Sequence, residues 1–464
     1  MKTSRRSFLA ASAAAFPAIL PSRMFGQSAP SNVIRIGQIG CGRIARGSEF
    51  AGLLKHHAVA RFVAVCDLDT VRVADAKSLV ETYYERNVRG GKYDKVATYG
   101  NYRELLADRS IDAVCVSTPD HWHAQPAMEA ALAGKDIYLQ KPASLTIAEG
   151  RQMADVLAKT GRILQLGSQQ RSDVQFRLAC ELVRNGRLGK IQQIFIGLPE
   201  DPSGDPEPEM AVPANLNYDA WLGSTPTVYY TQNRVHPQSP DIRQRYERPG
   251  WLRCEQFGAG MITGWGAHHF DIAHWAMDTE LSGPVEIAAT AQFPTKGPWD
   301  VHGPYHVRAT YANGATVYVS EKFPNGLRFI GENGWLWVTR GAAAPGLGPD
   351  ALPGPQALDA SDRRILKEGI KDGEIHLHAS PKNDHHLDWL TSIRTRQKPV
   401  APAEVGHRSC TACLLSHAAM RLGKTLQWDP KAERFLNNDE ANRLLARKQR
   451  APYGTDHVAI TKPA

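Results

Sequence analysis

The amino-acid sequence predicts an α/β fold in two parts, an N-terminal doubly wound parallel sheet and a C-terminal α+β domain with a large, mostly antiparallel sheet. Three observations carry this expectation. From Val33 an apolar run enters a glycine turn and then a helical pattern, VIRIGQIGCGRIARGSEFAGLL. Strand-like and helical runs then alternate as far as DIYLQKP, which ends at Lys141 and Pro142. Beyond KIQQIFIG, strand-like runs are punctuated by Asn-Gly pairs at Asn313, Asn325 and Asn333, each a hairpin-turn signal.

The chain of 464 residues is long enough for two or three domains. With 42% hydrophobic and 22% charged residues, the composition excludes a disordered chain and a polytopic membrane protein. Residues 1–30 stand apart. Ser4, Arg5, Arg6, Ser7, Phe8 and Leu9 carry the pattern of a twin-arginine export signal, and the apolar run Leu9 to Leu20 is too short to span a bilayer. Export through the Tat machinery to the periplasm is therefore expected. The formal net charge of +8 drops to +4 once the four basic side chains of this segment, unmatched by any acid, are removed. Basic residues are otherwise scattered, so no nucleic-acid partner is expected. Seven cysteines make a poor disulfide framework; Cys41, Cys66 and Cys115 sit in apolar contexts typical of buried thiols. A lone C-x-x-C at Cys410 and Cys413 is weak evidence for zinc.

Residues 31–150 read as a dinucleotide-binding Rossmann domain. Gly40, Gly42 and Ala45 give G-x-G-x-x-A after the first strand. The first glycine permits the tight turn, and the second lets backbone approach a pyrophosphate at a helix N-terminus, where peptide dipoles favour anions. Arg43 and Ile44 lie inside this turn and are candidate cofactor contacts. The second strand, ARFVAVCDLD, brings Asp67 to the position where an acid meets the adenosine ribose hydroxyls, which favours NAD over NADP. A helix rich in Ala and Val follows, then the strand IDAVCVSTP with Thr118 and Pro119 at its end, a helix from about Ala124 to Ala133, and the strand that ends in Gln140, Lys141 and Pro142. Ligands bind at such carboxyl ends, and the proline fixes the turn that aims the lysine.

With these residues the chain resembles the Gfo/Idh/MocA family of sugar and inositol oxidoreductases, over roughly Val33 to Pro430. The family pattern is a glycine-turn strand, an acid ending the second strand, and Glu-Lys-Pro roughly a hundred residues on; here Gln140 stands in place of the glutamate. The resemblance implies a substrate-binding α+β domain over 151–430, followed by a tail over 431–464. It implies hydride transfer between a hydroxyl-bearing carbon of a sugar, cyclitol or glycoside and NAD, with a side chain taking the hydroxyl proton. It also sets His121, Trp122 and His123 where the family's loop reaches the nicotinamide ribose.

The stretch MITGWGAHHFDIAHWAMD, residues 261–278, carries His268, His269, Asp271 and His274. Aligned on the family's Asp-x-x-x-His helix, it puts His268 on the histidine and Gly264 on the aspartate, so that acid is missing. Lys141 and His268 are the expected catalytic pair, with His268 as base and Lys141 as orienting donor. His269, Asp271 or His274 could substitute for the lost acid, and His269, Asp271 and Gln169 are expected near substrate. A metal is not expected: His268, Asp271 and His274 lack the i, i+4 pair of helical metal motifs. The neutral Gln140 predicts a lowered pKa for Lys141.

An exported enzyme of this kind meets no exchangeable NAD, so the cofactor should stay bound and the cycle should close on itself. It could pass hydride between two carbohydrates, as glucose–fructose oxidoreductase does, or cleave a glycoside by oxidation, elimination, hydration and reduction, as the family's NAD-dependent glycoside hydrolases do. A non-catalytic sugar-binding module fits only if the changes at Gly264 and Gln140 mean lost catalysis. The expected partners are a small carbohydrate and further copies of the chain in a homo-oligomer.

Overall fold

The computed structural model describes residues 33–88, 93, 95–340 and 357–460. The expected export segment lies outside them. Six strands form a parallel sheet: β1 (Ile34–Ile39), β2 (Ala60–Cys66), β3 (Ala97–Tyr99), β4 (Ala113–Val116), β5 (Asp136–Leu139) and β6 (Leu164–Leu166), in the order β3-β2-β1-β4-β5-β6. Every residue of β4 and β5 is buried, as required when helices cover both faces of a sheet. Strand order reverses between β1 and β4, and a crevice opens there at the carboxyl ends. The sixth strand lies past the boundary expected at residue 150. It follows the helix Ile147–Thr160, which opens with a Thr146/Glu149 capping box and stops at Gly161 with φ +62°.

Nine strands form the second sheet: β7 (Ile191–Gly197), β8 (Pro284–Ala291), β9 (Tyr305–Tyr311), β10 (Thr316–Ser320), β11 (Gly326–Gly331), β12 (Gly334–Val338), β13 (Leu358–Ala360), β14 (Leu426–Asp429) and β15 (Arg434–Phe435). Their order is β13-β12-β11-β7-β10-β9-β8-β14-β15, antiparallel throughout except between β7 and β10. Two Asn-Gly pairs make the expected hairpins, β9 to β10 at Asn313 and β11 to β12 at Asn333. Asn325 does not, because β7 is inserted between β10 and β11; its side-chain oxygen meets His269 instead. The helices Gly266–Met277 and Ala403–Leu422 lie between the two sheets, and one apolar core runs from Ile39 and Val116 through Phe270 and Leu415 to Ile196 and Val307. Leu216, Tyr218, Trp221, Tyr230 and Phe257 of the long insertion after β7 form a separate small core. No helix among the described residues is long and apolar enough to cross a membrane.

Candidate active site

A cavity of about 380 Å³ occupies the crevice, lined on one side by the glycine turn and the carboxyl ends of the parallel strands and on the other by Gly264 and Arg248. Gly40 has φ +84°, and a Cβ there would stand 2.7 Å from the Ser117 carbonyl oxygen, so only glycine fits. The Asp67 carboxylate is pinned at the end of β2 by the backbone N–H groups of Cys41 (2.6 Å) and Asp69 (2.9 Å), and burial pushes its pKa up. Bare backbone at the turn and a fixed carboxylate beyond it fit the pyrophosphate and adenosine ribose of a dinucleotide. Arg43, Ile44, Thr118, Pro119, Gln140 and Lys141 all line the same cavity.

At the other end the Lys141 Nζ donates to the Gly264 carbonyl at 2.8 Å. The position from which an aspartate side chain is missing thus contributes its backbone oxygen. Burial brings Lys141 down to about 8; Asp120 opposes this, and the cations Arg248, Arg340 and Arg43 reinforce it. Asp120 is the counterpart: buried, lining the cavity, and pushed up to about 7 by burial with Lys141 pulling the other way. Two groups whose surroundings bring their pKa values toward neutrality from opposite sides are equipped to exchange a proton. Sequence reasoning passed over Asp120, although an acid directly after the Pro119 that ends a parallel strand was a usable signal.

Gln140 is not simply a lost charge. Its Nε2 donates to Glu49 Oε1 at 2.7 Å, and the Ser117 hydroxyl donates to Glu49 Oε2 at 2.9 Å. Glu49 lies on a π-helical turn, Ala45–Phe50, fully buried, and burial pushes it up to about 7. The lowered pKa expected of Lys141 is present, but burial is its largest cause. Gln140→Glu should therefore set two carboxyls against each other and cost about 1–3 kcal/mol in urea unfolding, an amount that adding Glu49→Gln recovers. An undiminished stability of the single variant would show that the two side chains do not meet.

The histidine stretch is interior. His268 is buried one helical turn beyond Gly264 and is not among the residues lining the cavity; its Nδ1 has no partner. Burial first, then Arg340 and Lys141, hold its imidazole well below the usual range, so it is neutral and a poor base. His269, Asp271 and Gln169, expected near substrate, are not among the residues lining the cavity and are engaged by other side chains. His269 Nε2 meets Asn325 Oδ1 at 2.8 Å, and Gln169 donates to the Tyr138 hydroxyl at 3.1 Å. Asp271 accepts two bonds from Arg171, at 2.6 and 2.9 Å, and one from Ser409 at 2.8 Å. His274 Nε2 meets the Tyr311 hydroxyl at 2.8 Å. These four side chains turn to different interior partners.

His123 lines the cavity, but its ring nitrogens face the carbonyls of Pro142 and Thr118, tying the lysine turn to the Pro119 loop. His121 is outside the lining and meets the Trp221 carbonyl at 2.8 Å. That contact belongs to a strap. The insertion after β7 is held down by Asp69, which accepts from Asn215 (2.8 Å) and Gln238 (3.0 Å) and meets His236 (3.1 Å), and by Trp122 Nε1 donating to the Trp221 carbonyl (3.0 Å). The C-terminal segment adds Arg447 on Glu149 (3.1 Å) and Arg450 on Asp219 (2.6 Å), and Tyr453 reaches the cavity wall beside Trp122. The long insertion after β7 and the segment expected as a C-terminal tail thus cover the crevice.

A doubly wound sheet with a dinucleotide turn, and a half-buried lysine at its carboxyl edge, is the apparatus of a nicotinamide-dependent oxidoreductase. Residues 34–168 match the profile described as "Oxidoreductase family, NAD-binding Rossmann fold", and residues 204–355 and 363–455 match its partner, "Oxidoreductase family, C-terminal alpha/beta domain". The chain belongs to the Gfo/Idh/MocA oxidoreductase family, and its cofactor is NAD. It is 31% identical over 162 residues to glycosyl hydrolase family 109 protein 2 of Shewanella sp. (strain ANA-3), covering 34% of this chain and 33% of that one. It is 31% identical over 157 residues to the myo-inositol 2-dehydrogenase of Thermotoga maritima, covering 34% of this chain and 42% of that one. These alignments therefore span less than half of the curated relatives' length. The WlbA dehydrogenase of Bordetella pertussis, solved in complex with NADH and UDP-GlcNAcA, shares the fold: TM-score 0.60 at 15% identity, over 86% of this chain and 99% of that one.

Proposed function

We propose that this protein oxidises a secondary hydroxyl of a sugar, cyclitol or glycoside with an NAD that it does not release between turnovers. The observation that carries the proposal is the Lys141–Asp120 pair at the floor of a strapped dinucleotide crevice. When bound, NAD supplies the hydride acceptor. Neutral Lys141 takes the hydroxyl proton, the Gly264 carbonyl directs its amine, and the Asp120 carboxylate stabilises the ammonium that results. This assignment gives Lys141 the role of base expected of His268, because an imidazole held far below neutrality binds a proton poorly.

Activity should then rise with pH through the Lys141 titration near 8. Asp120 raises that pKa, so Asp120→Asn should move the rising limb to lower pH by about one unit. An unmoved limb in the pH dependence of turnover would remove Asp120 from the pair. A redox-neutral glycoside hydrolase is the second reading, favoured by the likeness to the glycosyl hydrolase family 109 protein. The same pair would serve, since oxidation acidifies a neighbouring C–H. Release of nitrophenol from nitrophenyl glycosides without added NAD separates it from hydride transfer between free sugars.

The reading includes export by the twin-arginine route to the periplasm and assembly as a homo-oligomer. Ser4 to Leu9 support the first, and the straps over the crevice suit a protein that must leave the cytoplasm with its cofactor. Arg5→Lys with Arg6→Lys should strand the folded precursor inside; normal periplasmic delivery would contradict the route.

A further inference from the structure

We infer that the substrate of this site carries a negative charge, a carboxylate or phosphate on the carbohydrate, and that Arg248 receives it. The inference rests on the reading of the crevice as a carbohydrate-oxidising site. Four arginines line the cavity: Arg43, Arg72, Arg103 and Arg248. Two are already committed. Arg103 makes two 2.8 Å bonds to Glu129, and Arg72 lies 4.0 Å from Asp69 and donates to the Arg245 carbonyl at 3.0 Å. Arg43 belongs to the glycine turn, where a dinucleotide presents its pyrophosphate. Arg248 comes from the opposite wall and has no carboxylate at ion-pair distance among the described residues.

Its placement relative to the chemistry is defined by one turn of helix. Arg248 Nη2 lies 3.3 Å from Met261 Sδ, and Met261 opens the helix Met261–Gly264 whose last carbonyl holds Lys141 Nζ. One turn rises about 5 Å, the scale of a sugar ring. A molecule whose hydroxyl faces Lys141 could therefore bring a charged substituent to Arg248. A thioether is a weak acceptor and leaves most of the guanidinium's five donors unspent.

The charge balance argues the same way. Arg248, Arg340 and Arg43 all act on Lys141 here, and Arg253 and Arg43 act on Arg248. The acids acting on them are Asp120 on Lys141, Asp201 on Arg248 and Asp173 on Arg340, all pushed up by burial, the first two to about 7 and about 6, with the exposed Glu247 on the cavity wall. Asp201 is further engaged by the Met261 backbone N–H. An oxidised nicotinamide would add positive charge to this group. A neutral sugar would desolvate Arg248 without a partner, whereas an anion satisfies the guanidinium in paired, charge-assisted bonds.

The test is calorimetric binding to the holoenzyme of D-glucuronate, D-glucose 6-phosphate and D-glucose, repeated for the galacto series. At least one anion should bind tenfold or more tightly than its neutral parent, and the preferred arm tells carboxylate from phosphate. Arg248→Gln should erase about ten- to a hundredfold of that advantage, with NAD content as in the parent, and Arg248→Lys should recover part of it. Neutral sugars binding as tightly as the anions, no anion binding, or an advantage that survives Arg248→Gln would overturn the inference. So would loss of NAD from Arg248→Gln, since the guanidinium would then serve the pyrophosphate. Tight anion binding without reduction of the bound NAD would instead retire the hydroxyl-oxidation reading and leave the charge preference standing.

Discussion

Lys141→Met should abolish turnover while NAD remains bound. The side chain is half-buried, its amine is fixed by a 2.8 Å bond to the Gly264 carbonyl, and its pKa of about 8 suits a base near neutral pH. Loss of a positioned general base costs on the order of 10²–10⁴ in rate, and methionine keeps the apolar stem in place. The glycine turn, Asp67 and the straps over the crevice are untouched by this change, so nucleotide released on denaturation should match the parent. Single-turnover reduction of the bound nicotinamide is the measurement. Near-normal rates would return the role of base to His268, whose Nδ1 is buried without a partner.

The second large effect is on stability. Arg171 and Asp271 are 2% and 1% exposed and joined by two short bonds, with Glu280, Ser409 and the Val400 carbonyl completing the set and Trp275 beneath the guanidinium. Removing one partner leaves a buried charge uncompensated, so Asp271→Ala should lose about 3–5 kcal/mol in urea unfolding. Arg171→Met combined with Asp271→Leu should lose much less, because neither charge then remains. The KM of the surviving folded Asp271→Ala protein should be unchanged. A raised KM at full stability would put Asp271 at the substrate after all.

Local signals in the sequence were enough for the parallel sheet and its turn: Gly40, Gly42 and Asp67 are a short-range pattern whose geometry recurs wherever backbone must approach a pyrophosphate. Lys141 was legible for the same reason, as a residue at the end of an apolar strand before a proline. The histidine stretch misled because sequence adjacency on a helix does not say which side is wet. The helix Gly266–Met277 is wedged between two sheets, so polar side chains there had to find interior partners, and Arg171, Asn325 and Tyr311 come from segments 37 to 100 residues away. Glu49 was invisible as the partner of Gln140, 91 positions on, since only the folded sheet brings the two together. The Asn325 turn failed because hairpin chemistry is local, whereas β7 reaches its slot between β10 and β11 by long-range pairing.

The most direct test of a retained, catalytically used NAD is to mix the purified protein, with no cofactor added, with a panel of neutral and anionic sugars and glycosides and to follow nicotinamide absorbance in the near ultraviolet. The account predicts reduction of a bound NAD in stoichiometric amount to the protein, its reoxidation on adding a carbonyl-bearing carbohydrate, and no stimulation by free NAD. Activity that appears only when free NAD is supplied, or a protein that releases no nucleotide on denaturation, would contradict it.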